Sequence, residues 1–246
     1  MRTLDTRTSL SGRARAALLL PIALLGFALS TCTRRASTPK KPEQVFRFRM
    51  HEDPPTLDPA LSNDEFSDSV VLNVNRGLVE LDPGTLEIRP AIAESWSVSP
   101  DNLEYTFHLR DNARFHNGRA LTSQDVAYSF LRLLKKETQS PRRFLLEPVE
   151  GAQDFSEGKS PAVKGLTTPD DRTVVLRLAK PFAPFLSELT MVNASILPKE
   201  AYDDPTKAYL RAPVGCGPFR LARWEQSNFI ELLPFDGYYG GRPALD

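Results

Sequence analysis

The sequence predicts a mixed α/β fold, rich in short strands and turns, on three observations. Apolar residues recur with a period of two over Val45–Met50 and Glu104–Arg110, the pattern of half-buried strands. They recur at helical spacing after Asp64 and after Thr122. Proline is abundant, 21 residues against 13 glycines, which favours turns and extended segments over a helical bundle. A chain of 246 residues with 41% apolar content has material for one large domain or two small ones.

The elements follow in order. Folded sequence begins at Val45, where Phe46, Phe48 and Met50 alternate with Arg47 and Arg49 as a strand. Asp53-Pro54-Pro55-Thr56-Leu57-Asp58-Pro59 holds three prolines and reads as an extended loop. A helix spans Asp64–Arg76, with Val70, Val71 and Val74 on one face and Gly77 as its stop. Leu78–Leu81 is a short strand ending in the turn Asp82-Pro83-Gly84. Ser95–Val98 and Glu104–Arg110 are strands, with Tyr105, Phe107 and Leu109 inward in the second. Asn117-Gly118 is a tight turn. Thr122 then caps a helix, with Asp125 three residues on in a capping-box arrangement and Val126, Phe130 and Leu133 or Leu134 as its buried stripe. Short helical pieces follow Ser140, then a strand at Thr173–Leu178, a short helix at Phe182–Leu189, and a hairpin of Phe219–Trp224 with Asn228–Leu233.

Lys+Arg and Asp+Glu are both 31, so the net charge is zero, which argues against a nucleic-acid partner. The balance is uneven along the chain. Residues 1–32 hold four arginines and one aspartate, and the remainder 27 basic and 30 acidic residues, a net of −3. The apolar run Ala16–Leu29 is short for a membrane span, which needs about 20 residues. Basic residues before it and small polar ones after it make the three-part form of a secretory signal over residues 1–32. A buried core helix is the alternative. Cys32 closes the run in Leu29-Ser30-Thr31-Cys32, which resembles a bacterial lipobox whose cysteine is lipidated. Thr31 departs from that pattern, and a plain secretory signal cleaved nearby is the other reading. Residues 33–44, polar and basic, read as a flexible tether between a lipid anchor and the body.

No catalytic or cofactor constellation emerges. Two cysteines and three histidines leave little for a metal centre. His51, Glu52 and Asp53 are adjacent on an extended chain, so they point in alternate directions and make a poor metal clamp. They read as either a polar segment lining a pocket or a solvated loop start. No serine or cysteine sits in a nucleophile-elbow context. Gly215-Cys216-Gly217-Pro218 reads as a tight turn holding a small buried thiol, with a reactive thiol as the alternative.

Several blocks, in order, carry a family resemblance. They are Pro55-Thr56-Leu57-Asp58-Pro59-Ala60, then Gly77-Leu78-Val79 with Arg89-Pro90-Ala91-Ile92-Ala93-Glu94-Ser95-Trp96, then Tyr105-Thr106-Phe107-His108-Leu109-Arg110. Arg114-Phe115-His116-Asn117-Gly118, Leu121–Val126, Gly215-Cys216-Gly217-Pro218-Phe219 and Tyr238-Tyr239-Gly240-Gly241-Arg242-Pro243 complete the set. Together they resemble the extracytoplasmic solute-binding proteins of peptide and nickel ABC importers, the oligopeptide- and dipeptide-binding family. Cys216 and Phe219 depart from that family's Gly-Thr-Gly-Pro-Tyr turn.

The resemblance implies a lobe of the type II periplasmic-binding-protein kind. Residues 45–65 and 191–246 would form it discontinuously, with a β-rich α+β domain inserted over 66–190. It implies that the second lobe is missing, since relatives are about twice as long; a gene fragment and a true short protein are both open. The implied function is capture of an oligopeptide or dipeptide for ABC permease subunits by an exported, membrane-anchored protein without enzymatic chemistry. A stand-alone surface lipoprotein that serves as an interaction module is the alternative. The ligand-facing residues expected from this half are His51, Glu52, Asp53 and Pro54 after the first strand and Gly215, Cys216 and Gly217 at the turn. Arg76 joins them, with a salt bridge at a helix end as its other reading. Trp96, Phe107, Phe115 and Asp125 are expected to be core and capping residues.

Overall fold

A computed structural model describes residues 44–246. The signal segment, Cys32 and residues 33–43 of the tether lie outside the described residues. None of the described helices is long and apolar enough to cross a membrane.

The centre of the molecule is a four-stranded antiparallel sheet covered on one face by a helix. Its strands are β3 (Ala93–Val98), β4 (Glu104–Leu109), β5 (Leu166–Asp170) and β6 (Thr173–Arg177), in the order β3-β4-β6-β5. In β4, Tyr105, Phe107 and Leu109 are buried and His108 is exposed, because successive side chains leave opposite faces of a pleated strand. Phe107 stands opposite Val174 of β6, and Tyr105 opposite Leu176. Helix α2 (Ser123–Leu134) lays Val126, Phe130, Leu133 and Leu134 onto this apolar layer. Its first turn is closed by the Asp125 carboxylate, which accepts the Thr122 N–H at 2.9 Å. Phe107 and Phe115 are fully buried, and Trp96 packs at the edge of the same core.

A two-stranded ribbon of β1 (Val79–Leu81) and β2 (Ile88–Pro90) extends from the core. The turn between them is tied by Asp82, whose carboxylate accepts the Gly84 and Thr85 N–H groups. Neither β2 nor β5 has a strong alternation of its own; each is a strand because its neighbour supplies the ladder.

A second, smaller core joins helix α1 (Glu65–Val74) to a hairpin of β7 (Phe219–Glu225) and β8 (Phe229–Pro234). Leu57, Val70 and Val74 are buried there against Met50, Leu221, Trp224, Ile230 and Leu232. α1 starts where its sequence says: the Asp64 carboxylate caps the Phe66 and Ser67 N–H groups at 3.1 and 2.8 Å. It stops earlier than Gly77. Asn75 turns extended and its N–H closes the last turn on the Val71 carbonyl.

The expected strand at Val45–Met50 does not form. The segment is extended but pairs with no strand among the described residues, and Phe46 and Phe48 are 70% and 58% exposed, stacked on each other at 6.0 Å. Alternation marks a chain able to join a sheet, but a strand exists only where a neighbour accepts its hydrogen bonds. At its start, Gln44 accepts the Asp246 N–H and donates its own N–H to the Asp246 carboxylate.

The proline loop closes on a buried ion pair. Asp58 is fully buried, and its carboxylate holds the Ala60 N–H at 3.0 Å, capping a short 3-10 turn at Pro59–Leu61. Arg132 of α2 meets it in a two-pronged contact at 2.8 and 2.5 Å. The guanidinium lies against the rings of Tyr202 and Tyr209, at 5.1 and 5.6 Å. Asn193 completes the anchor by donating to the carbonyls of Pro59 and Ser62. Removing one charge of a buried pair strands the other. Asp58→Asn is therefore expected to cost about 3–5 kcal/mol, read as a lowered midpoint in urea unfolding, with a much smaller effect from Arg143→Gln, which removes the exposed Arg143–Glu147 pair.

Candidate functional site

The turn Gly215-Cys216-Gly217 lies across the end of α1, backbone against backbone. The Gly217 N–H donates to the Val74 carbonyl at 2.8 Å. A Cβ on Gly215 would stand 2.0 Å from the Val74 oxygen, and one on Gly217 would stand 2.5 Å from the Asn73 oxygen. Neither position admits a side chain without moving the helix end.

His116 clamps the turn from the other side. Its backbone N–H donates to the Gly215 carbonyl at 2.8 Å. Its ring accepts the Gly215 N–H on Nδ1 at 3.3 Å and donates Nε2–H to the Gly217 carbonyl at 3.1 Å. These partners define the neutral Nε2–H tautomer. Phe235 packs edge-on against the imidazole at 4.9 Å. Burial pushes the His116 pKa down to about 4, the Gly217 carbonyl opposes that shift, and the charge of Arg220 adds to it.

Cys216 is buried, and its Sγ faces the carbonyls of Arg76 and Ile196, both at 3.7 Å. Burial pushes its thiol up to about 12, so it remains protonated and is a poor nucleophile at neutral pH. Among the described residues no cluster of His, Cys, Asp or Glu could hold a metal ion.

Arg76 follows α1 directly. Its Nε lies 3.1 Å from the Glu80 carboxylate, its guanidinium donates to the Asn75 carbonyl at 2.9 Å, and the Tyr238 ring lies 5.8 Å away. Its own carbonyl accepts the Ile196 N–H at 2.9 Å. Arg76 therefore joins Gly215, Cys216 and Gly217 around one helix end.

The other expected group is placed apart. His51 and Glu52 are exposed, Asp53 is partly buried, and Pro54 is buried. The Asp53 carboxylate accepts the Ser227 N–H at 2.6 Å, in the turn at the tip of the β7–β8 hairpin. Gly217 adjoins the base of that hairpin, at Phe219. The seven residues of β7 separate base from tip, roughly 20 Å at the usual rise. The two expected groups thus lie at opposite ends of one hairpin and do not form one pocket.

The sequence reading missed His116 and Phe235 as partners of the turn. His116 sits 99 residues from Gly215, and nothing local marks such a contact. The residues around it do surround a hollow of about 210 Å³, bordered by His116, Arg220, Pro234, Phe235, Asp236 and Gly237.

A mixed α/β body with these features is similar to type II periplasmic binding proteins of known structure. A Bacillus anthracis oligopeptide ABC transporter substrate-binding domain matches with a TM-score of 0.77 and 28% identity, over 81% of this chain and 39% of that one. The Escherichia coli murein tripeptide-binding protein MppA matches with a TM-score of 0.73 over 78% of this chain and 38% of that one, at 28% identity. Among curated proteins, the dipeptide-binding protein of Escherichia coli is 36% identical over 90% of this chain and 43% of its own length. DppE, a dipeptide-binding protein of Bacillus subtilis, is 33% identical over 87% and 42% respectively. The chain belongs to the bacterial extracellular solute-binding proteins, family 5, whose model matches residues 87–246. It spans about 40% of the length of the relatives it matches.

The His116 clamp has a pH signature. A histidine ordinarily titrates near 6.5, so an unfolded chain takes up a proton between pH 6.5 and 4 that the folded one refuses. The stabilisation is complete above 6.5 and fades as pH falls toward 4, by about 3 kcal/mol in all. Urea unfolding should therefore show stability falling across that window. In His116→Gln that part of the pH dependence should be lost, and an unchanged slope would contradict the clamp.

Proposed function

We propose that this chain serves in peptide capture for an ABC importer, as one wall of a solute-binding cleft outside the cytoplasmic membrane. Family membership at 36% identity to a dipeptide-binding protein carries this reading. The names of other relatives support it, since oligopeptide and murein tripeptide binders share the fold. The mechanism is binding and delivery, without a covalent step. In this reading residues 45–65 and 191–246 belong to the ligand-facing lobe and 66–190 to a β-rich insertion. The wall is formed by Gly215–Gly217 with Arg76 near the base of the hairpin and by His51–Pro54 near its tip. The partner of the loaded protein is the permease of the importer.

We also propose attachment to the membrane through a lipid on Cys32. Metabolic labelling with radiolabelled palmitate in a bacterial host should mark the wild-type chain and not Cys32→Ala. Labelling of both, or of neither, would exclude that cysteine as the acyl acceptor.

Peptide capture is tested by calorimetry on the purified full chain in detergent, titrated with di-, tri- and pentapeptide mixtures. Heat that saturates at micromolar peptide is the expected result. No heat up to millimolar concentration would rule out peptide capture by this chain.

A further inference from the structure

We propose that the hollow beside His116 is a subsite for a carboxylate of the ligand, with Arg220 as its counter-ion. The inference rests on the peptide-capture reading and adds to it the chemistry of one contact.

The charge pattern around the hollow carries the argument. Arg220 is exposed on β7 and borders the hollow, and among the described residues no acidic group pairs with it. Its neighbours are answered. Arg223 lies 3.5 Å from Glu225, and Arg242 holds Asp236 at 2.8 Å. Asp236 is the acidic group bordering the hollow, and its carboxylate is held by Arg242, which also reaches the Asp246 carboxylate at 3.2 Å. Arg220 is the guanidinium bordering the hollow that has no paired carboxylate among the described residues. A carboxylate is an acceptor-only fork that matches the donor fork of a guanidinium.

The rest of the lining suits the same ligand. His116 has both ring nitrogens committed to Gly215 and Gly217, so it shapes the hollow without adding a charge. Phe235 and Pro234 border the hollow beside its polar groups. The N–H groups of Asp236 and Gly237, residues that border the hollow, have no backbone acceptor among the described residues. A Cβ on Gly237 would stand 2.7 Å from the Phe235 ring, so the glycine lets that ring keep its place against His116. The hollow is one hydrogen bond away from Gly215 and Gly217, through His116, which places it on the proposed ligand-binding wall.

The test uses the full chain in detergent, as wild type, Arg220→Gln and Arg220→Lys. Arg220 holds no ion-pair partner among the described residues, so all three should share one urea midpoint. Calorimetry compares trialanine as free acid, trialanine amide, and Ala-Glu-Ala amide. The free acid should bind wild type about tenfold more tightly than Arg220→Gln, with Arg220→Lys between them, and the amide should not distinguish the variants. A tenfold effect confined to Ala-Glu-Ala amide would also support the subsite, and would assign it to an acidic side chain in place of the C-terminus. Equal affinities across the variants for every peptide would overturn the subsite and leave peptide capture standing. A second readout does not depend on peptide capture. N-acetylglycine at millimolar concentration should shift the His116 imidazole NMR signals in wild type and not in Arg220→Gln. That shift without any peptide heat would retain the carboxylate subsite and reject peptide capture. No shift, or the same shift in both proteins, would reject the subsite.

Discussion

The last turn of α1 and the Gly215–Gly217 turn meet main chain to main chain, with the Gly217 N–H on the Val74 carbonyl. Much of the surrounding geometry follows from that contact. Because both glycines lie flat on the helix end, the chain enters β7 beside α1, and the hairpin can lay Leu221, Trp224, Ile230 and Leu232 over Val70 and Val74. Cys216, between the glycines, points into the main core instead. One three-residue turn thereby connects the two cores. His116 locks it from the far side, and its three hydrogen bonds to the two glycines tie the sheet-bearing part of the chain to the hairpin.

The Asp58–Arg132 pair performs a similar task for the loop that precedes α1. A proline-rich loop has few backbone donors and no ladder to join. A buried carboxylate that caps the Pro59–Leu61 turn and grips α2 gives that loop a fixed position. The cost of burying both charges is offset by the two-pronged Arg132 contact, the Ala60 N–H on the Asp58 carboxylate and the two tyrosine rings. The proposed wall is thus built on elements held by buried polar contacts. That arrangement suits a surface meant to meet a ligand with its backbone already in place.

Local elements were legible because their signals are local. The capped start of α1 at Asp64, the Thr122–Asp125 box of α2, and the inward Tyr105, Phe107 and Leu109 of β4 each depend on residues within one or two turns. Val45–Met50 shows where this stops. Its alternation is as clear as that of β4, yet it forms no strand, since pairing requires a neighbour that its own residues cannot provide. β2 and β5 show the reverse, being strands by virtue of their neighbours.

The candidate site divides along the same line. The ordered motifs alone determined the family resemblance, and the apolar periodicities the mixed α/β class, because residue type and spacing suffice for those. Which residues surround the Gly-Cys-Gly turn was decided by the tertiary structure. His116 reaches Gly215 across 99 positions, Arg132 reaches Asp58 across 74, and Asp53 caps a hairpin tip 174 residues away. Contacts of that separation depend on how the sheet, helices and hairpin pack in three dimensions, and no periodicity along the chain encodes them.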